Sequence, residues 1–156
     1  MLDFQRLTPI NDVDKGHAND PGSVRAYYEE ALAFLLSHAW CRSVKRSYLG
    51  MGYEGILGVF LFEIIPSQEG VDEFLWVITG DIPPAYLVCD DSPTAADALQ
   101  AYVEEMRLWV QAVRSGAPTA DIIPVNAPET EEYTSMLESR LRFIERELLS
   151  QQDLPP

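Results

Sequence analysis

The chain has 156 residues, 47% of them hydrophobic and 23% charged, with a formal net charge of -14. That length suits one domain with its own core, and the composition excludes a disordered or collagen-like chain. The charge excludes general binding to nucleic acid or to anionic membranes, and favours basic proteins or cations as partners.

Residues 1–19 read as a surface-lying lead-in, with turn-rich polar stretches at Asn11–Asp14 and Gly16–Asp20. Leu2, Phe4, Leu7 and Ile10 are spaced to pin it to the body. The start lacks a basic segment followed by an apolar core, so no export signal is expected. Asp20-Pro21 has the form of a cap followed by a preorganised first helical residue. Val24, Tyr27, Tyr28, Ala31 and Leu35 then recur at helical spacing, predicting a first helix that ends near Ala39.

Arg42 to Leu49 alternates weakly and reads as an edge strand, with Gly50–Gly55 as the following turn. Ile56–Ile65 is apolar on both faces, as a strand covered on both sides would be. Phe74–Thr79 and the short Ala85–Cys89 complete a four-stranded antiparallel meander. Ser92-Pro93 opens a second helix striped by Leu99, Tyr102, Met106 and Trp109. Pro128 or Thr130 starts a third, striped by Leu137, Leu141, Ile144 and Leu148. Gln151–Pro156 is a tail. The expected fold is therefore α+β, order α-β-β-β-β-α-α, with three main helices packed on the sheet as a single domain over 20–150.

Between Ser47 and Met106 there is no Lys, Arg or His. The same stretch holds Glu54, Glu63, Glu69, Asp72, Glu73, Asp81, Asp90, Asp91, Asp97, Glu104 and Glu105. Asp81 leaves a buried strand just before Pro83-Pro84, where stiff backbone would preorganise an acid. Asp81, Asp90 and Asp91 are expected to approach one another at one end of the sheet, and Tyr86 lies between them in sequence. These four are the candidate binding residues. They lack calcium-loop spacing, so no metal or other cofactor is expected. Glu63, inside an apolar strand, needs a partner, and Arg46 on the preceding strand supplies one. Its alternative role is a catalytic acid.

His17 and His38 belong to no nucleophile or metal motif, and the Gly-rich run at Gly50–Gly55 joins two strands rather than cradling phosphate. Cys41 and Cys89 read as reduced, buried thiols in a cytoplasmic protein. Trp40, Trp76 and Trp109 read as core residues, or as interface anchors wherever exposed. The runs Glu73–Val88 and Ile123–Thr130 resemble a family of small uncharacterised bacterial proteins, and the resemblance implies no activity.

Together these features point to a non-enzymatic acidic module, immunity- or chaperone-like, that holds a basic partner; a homo-oligomer remains open. The alternatives are a small hydrolase or isomerase using Glu63 and Asp81, or a small-ligand sensor with Trp76, Tyr86 and Trp109 lining a cavity.

Overall fold

The computed structural model describes residues 2–13 and 20–150. His17, the rest of the turn-rich run before Asp20 and the tail Gln151–Pro156 lie outside the described residues. The chain forms two compact units, residues 1–98 and 99–156, with the boundary inside one helix.

The first unit is an antiparallel sheet with strands in sequence order β1-β2-β3-β4-β5: β1 (Thr8–Pro9), β2 (Cys41–Tyr53), β3 (Leu57–Pro66), β4 (Phe74–Gly80) and β5 (Ala85–Val88). The sheet has five strands rather than four, because part of the lead-in joins it. Thr8 pairs with Leu49 and Pro9 with Tyr48. A proline is tolerated there because β1 is an edge strand. Phe4 packs edge-on against Tyr48 and Phe74, and Ile10 is buried. A strand therefore precedes the first α-helix in the element order.

Helix α1 (Val24–Leu36) is shorter than expected at both ends. Its cap is Ser23, whose hydroxyl accepts from the Ala26 N–H, and not Asp20. Strand β2 does not turn at Gly50 but runs on to Tyr53. At Gly50 an added Cβ would meet Ala95 Cβ at 2.6 Å and Trp76 Cζ3 at 3.2 Å, so a glycine there serves close packing rather than a turn. At Gly80, with φ +138°, the backbone lies in a region that favours glycine and an added Cβ would meet Leu57 Cα at 2.6 Å.

The sheet is apolar on both faces. On one, Phe60, Phe62, Leu75 and Val77 meet Tyr27, Tyr28, Ala31 and Leu35 of α1 in one core. Thr79, on that face, donates its hydroxyl to Tyr27 O at 2.7 Å. On the other, Leu57, Val59, Leu61, Trp76 and Ile78 are fully buried. Trp76 Nε1–H donates to Ser92 O at 2.8 Å, which satisfies the one polar group of the indole.

Helix α2 (Ala95–Ser115) starts later than Ser92-Pro93 suggested: the Thr94 hydroxyl accepts from the Asp97 N–H at 3.2 Å. In the second unit α3 (Glu131–Phe143) is capped by Thr130 and continues as a π-helical stretch, Ile144–Leu149. Trp109 meets Tyr133 edge-on at 6.0 Å. Arg107 grips both carboxylate oxygens of Glu145, with Nη1 to Oε2 at 2.8 Å. Arg114 reaches Glu131 at 3.2 Å and Glu138 at 2.9 Å, and Arg142 reaches Glu138 at 2.8 Å. These hydrogen bonds hold the Glu131 and Glu145 carboxyls below the usual carboxylate range, with Ser135 the largest influence on Glu131 and Arg107 on Glu145.

Candidate functional site

Strand direction decides which acids meet. Val88 of β5 stands opposite Leu75 at the start of β4, and Glu63 near the end of β3 stands opposite Phe74. The β3–β4 turn and the residues after β5 therefore share one end of the sheet. That end carries Glu69, Asp72, Glu73, Asp90 and Asp91, all exposed. Among the described residues no Lys or Arg stands within ion-pair distance of these five.

Cys89 reports the field they create. Its Sγ–H donates to Phe74 O at 3.4 Å, and its thiol is pushed up to about 12, first by burial and then by the charges of Asp72 and Asp90. Both cysteines are free, Cys41 buried and Cys89 half-buried.

Asp81 is not part of this cluster. It follows the far end of β4, where its N–H donates to Ile56 O at 2.9 Å. Antiparallel neighbours run in opposite directions, so the residues that leave β4 and those that leave β5 emerge at opposite ends. The expected meeting of Asp81 with Asp90 and Asp91 does not occur. Among the described residues no three His, Cys, Asp or Glu side chains gather as a metal cluster.

Tyr86 sits between these ends, on the α1 side of β5, opposite Val77. Its ring lies 5.0 Å from Trp40, 5.2 Å from His38 and 6.4 Å from Phe34. All four are half-buried, and Trp40 packs against the margin of the core rather than inside it. His38 Nδ1 lies 2.9 Å from Phe34 O, an arrangement that requires Nδ1–H as donor and leaves Nε2 to the cluster or solvent. The group borders the acidic end, because Ser67 at the start of the β3–β4 turn donates its N–H to Trp40 O at 3.0 Å. Val88, two residues beyond Tyr86, is 49% exposed. In the sequence, the spacing of Phe34 and His38 at i and i+4 was the one available sign of this cluster.

Glu63 meets Lys45 at 3.6 Å and Arg46 at 3.7 Å, with Arg46 directly opposite in register. The expected Arg46 partner is present. Glu63 and Asp81 stand at opposite ends of β4, roughly 20 Å of strand apart, so these two carboxylates do not form an acid–base pair. Trp76 is fully buried and lines no described pocket.

Two concavities are bordered entirely by described residues. In the first unit a groove of about 610 Å³ is bordered by Ile10, Tyr28, Leu32, Val44, Lys45 and Arg46. In the second a smaller one of about 360 Å³ lies among Trp109, Thr119, Ile122, Val125 and Glu129. No helix of the described residues is long and apolar enough to cross a membrane. Comparisons with protein-family models, with curated proteins and with solved structures yield no match.

Proposed function

We propose that the chain is a non-enzymatic docking module that receives a basic protein at the carboxylate end of its first unit. The observation that carries this reading is the set Glu69, Asp72, Glu73, Asp90 and Asp91, exposed and without a Lys or Arg at ion-pair distance among the described residues. Carboxylates that support a fold are usually matched by cations, as Glu131, Glu138 and Glu145 of the second unit are. Unmatched ones crowd like charges together, which costs some stability and raises the local concentration of cationic partners.

The bordering rings supply what charge alone lacks. Phe34, Trp40 and Tyr86 present half-buried aromatic surface on which an arginine or lysine side chain of the partner can stack. Aromatic anchors inside a polar rim give residence time, while the rim gives rate and selectivity. An immunity-type inhibitor of a basic toxin and a chaperone of a basic secreted protein would both use such a surface. Asp90, Asp91 and Tyr86 are the contact residues; Asp81, at the other end, adds to the long-range field only.

The test is capture from native extract followed by kinetics. A single basic protein retained at low salt and released at high salt supports the reading. With that protein in hand, Asp90→Lys combined with Asp91→Lys should slow association about tenfold or more at low salt and little at high salt. An unchanged rate at low salt, or no specific protein in the eluate, sinks it.

A further inference from the structure

Two buried tryptophans use their indole N–H groups differently. Trp76 is fully buried and donates to Ser92 O at 2.8 Å. Trp109 is 2% exposed, and its N–H donates to none of the described residues. Yet among the described residues no sealed side-chain nitrogen or oxygen lacks a partner. The small exposed part of Trp109 therefore includes its N–H. A buried indole nitrogen usually finds an acceptor, so an open and unused one marks a place where an acceptor can arrive.

Trp109 borders the concavity of about 360 Å³, which lies wholly within residues 99–156. That size falls in the range of about 300–1,000 Å³ found for small-molecule sites, near its lower end. The connector between α2 and α3 builds the rest of the wall. Gly116, at φ +74°, stops α2, and the Ala117 N–H donates back to Ala112 O at 2.9 Å. A turn then closes from the Ile122 N–H to Thr119 O at 3.2 Å. Residues 123–126 pair with no other backbone group among the described residues. Pro124 suits that stretch because it has no N–H to leave unpaired.

The lining is apolar with a few unused polar groups. Ile122, Ile123 and Val125 are half-buried around it. The Thr119 hydroxyl and the Asn126 amide make no hydrogen bond among the described residues. Glu129 is the one charged residue on the border; it is exposed, and no described Lys or Arg stands at ion-pair distance from it. The nearby cation of α2, Arg114, is already held by Glu131 and Glu138. Tyr133, on the first turn of α3 just after Glu129, meets the Trp109 ring at 6.0 Å, so acid and indole face the same space. A connector that only shields Trp109 needs the apolar residues. It accounts for neither the unused indole N–H nor the unmatched acid.

We propose that this concavity binds a small organic amine with an apolar body and a neutral hydrogen-bond acceptor, as in an amino-acid amide. The acceptor oxygen takes the Trp109 N–H, the ammonium sits beside Glu129, and the aliphatic body lies against Ile122, Ile123 and Val125. The net charge of -14 disfavours an anion in the same place. The site draws on residues 99–156 alone and the carboxylate end on residues 1–98, so its success or failure leaves the docking reading untouched.

The experiment is a titration of the ¹⁵N-labelled full chain with L-leucinamide slightly below neutral pH, where its amine is charged. The chain has three tryptophans, and each gives its own indole N–H peak. The Trp109 peak should move saturably, together with the amides of Ile123 and Val125, while the Trp76 peak stays in place. N-acetyl-leucinamide, which lacks the charge, and 4-methylpentanoate, which reverses it, should produce no saturable movement. 3-Methylbutylamine, which lacks the acceptor, should bind about fivefold more weakly, the scale of one hydrogen bond. Glu129→Gln should weaken leucinamide about fivefold, the scale of one exposed ion pair. Val125→Phe, which fills the concavity without touching the acid or the indole, should abolish binding; Glu129→Gln, at an exposed position, stands in if that variant does not fold. A Trp109 peak that does not move, equal binding of N-acetyl-leucinamide, or unchanged affinity in either variant would overturn the proposal.

Discussion

In residues 99–156 Arg107, Arg114 and Arg142 each hold a carboxylate at 3.2 Å or less, whereas in residues 1–98 five exposed carboxylates at one end of the sheet hold none among the described residues. In the helical unit the pairs to Glu131, Glu138 and Glu145 link α2 to α3 and its π-helical continuation. The sheet unit is held by apolar burial on both faces and leaves the five carboxylates at one end of its sheet facing outward. The contrast separates charge that supports structure from charge that is available to a partner.

Four substitutions or conditions probe that contrast. Trp76→Ala should have the largest effect, about 4 kcal/mol, because it empties a fully buried site and orphans Ser92 O. Urea unfolding measures it; a loss under about 1 kcal/mol would mean that burial is not what holds the sheet unit. Arg107→Met should cost about 1 kcal/mol by the same assay, since both partners of the fork are about a third exposed.

Acidification should act on the helical unit in a definite direction. Glu131 and Glu145 titrate lower when folded than the ordinary 4.5. Their contribution is complete above that value and is lost as pH falls through the lower, folded one. Thermal unfolding in Glu145→Gln should therefore show a weaker loss of stability between pH 5 and 3 than the parent. A parallel pH profile would break the assignment. Smallest of all, Asp90→Asn with Asp91→Asn should change stability by less than about 0.5 kcal/mol, and in the stabilising direction, by easing repulsion. A clear loss would give these acids a structural role and weaken the docking reading.

Much of the sheet is legible in sequence. β3 and β4 show themselves as apolar runs, and α2 and α3 as helical stripes. β1 is not legible because two residues, one of them proline, carry no periodicity and gain their place only from Tyr48 and Leu49 across the strand. β2 past Gly50 misleads because its glycines look like a turn. The reason for Gly50 is a neighbour, Ala95, and for Gly52 another, Val24, both far away in sequence. Ser23 displaces Asp20 as the cap because either residue type can cap a helix, and sequence alone does not choose between them.

The site was legible in parts. Adjacent strands were enough to pair Glu63 with Arg46. Asp90 and Asp91 lie on the acidic end, but their companions are Asp72 and Glu73 from the β3–β4 turn rather than Asp81. Counting strand directions alone, without coordinates, distinguishes these. The ring cluster around His38 needed the fold itself, since α1, the turn that follows it and β5 each contribute to it.

The pairing of β4 with β5 has a practical consequence through Cys89. A thiol with a pKa of about 12 is almost wholly protonated at neutral pH, and thiolate is the form that reacts with alkylating reagents. Burial raises the Cys41 thiol as well. Maleimide dyes should therefore pass over both native cysteines and label one newly introduced at Ser139, on the exposed side of α3, giving a singly tagged protein without removal of either natural thiol.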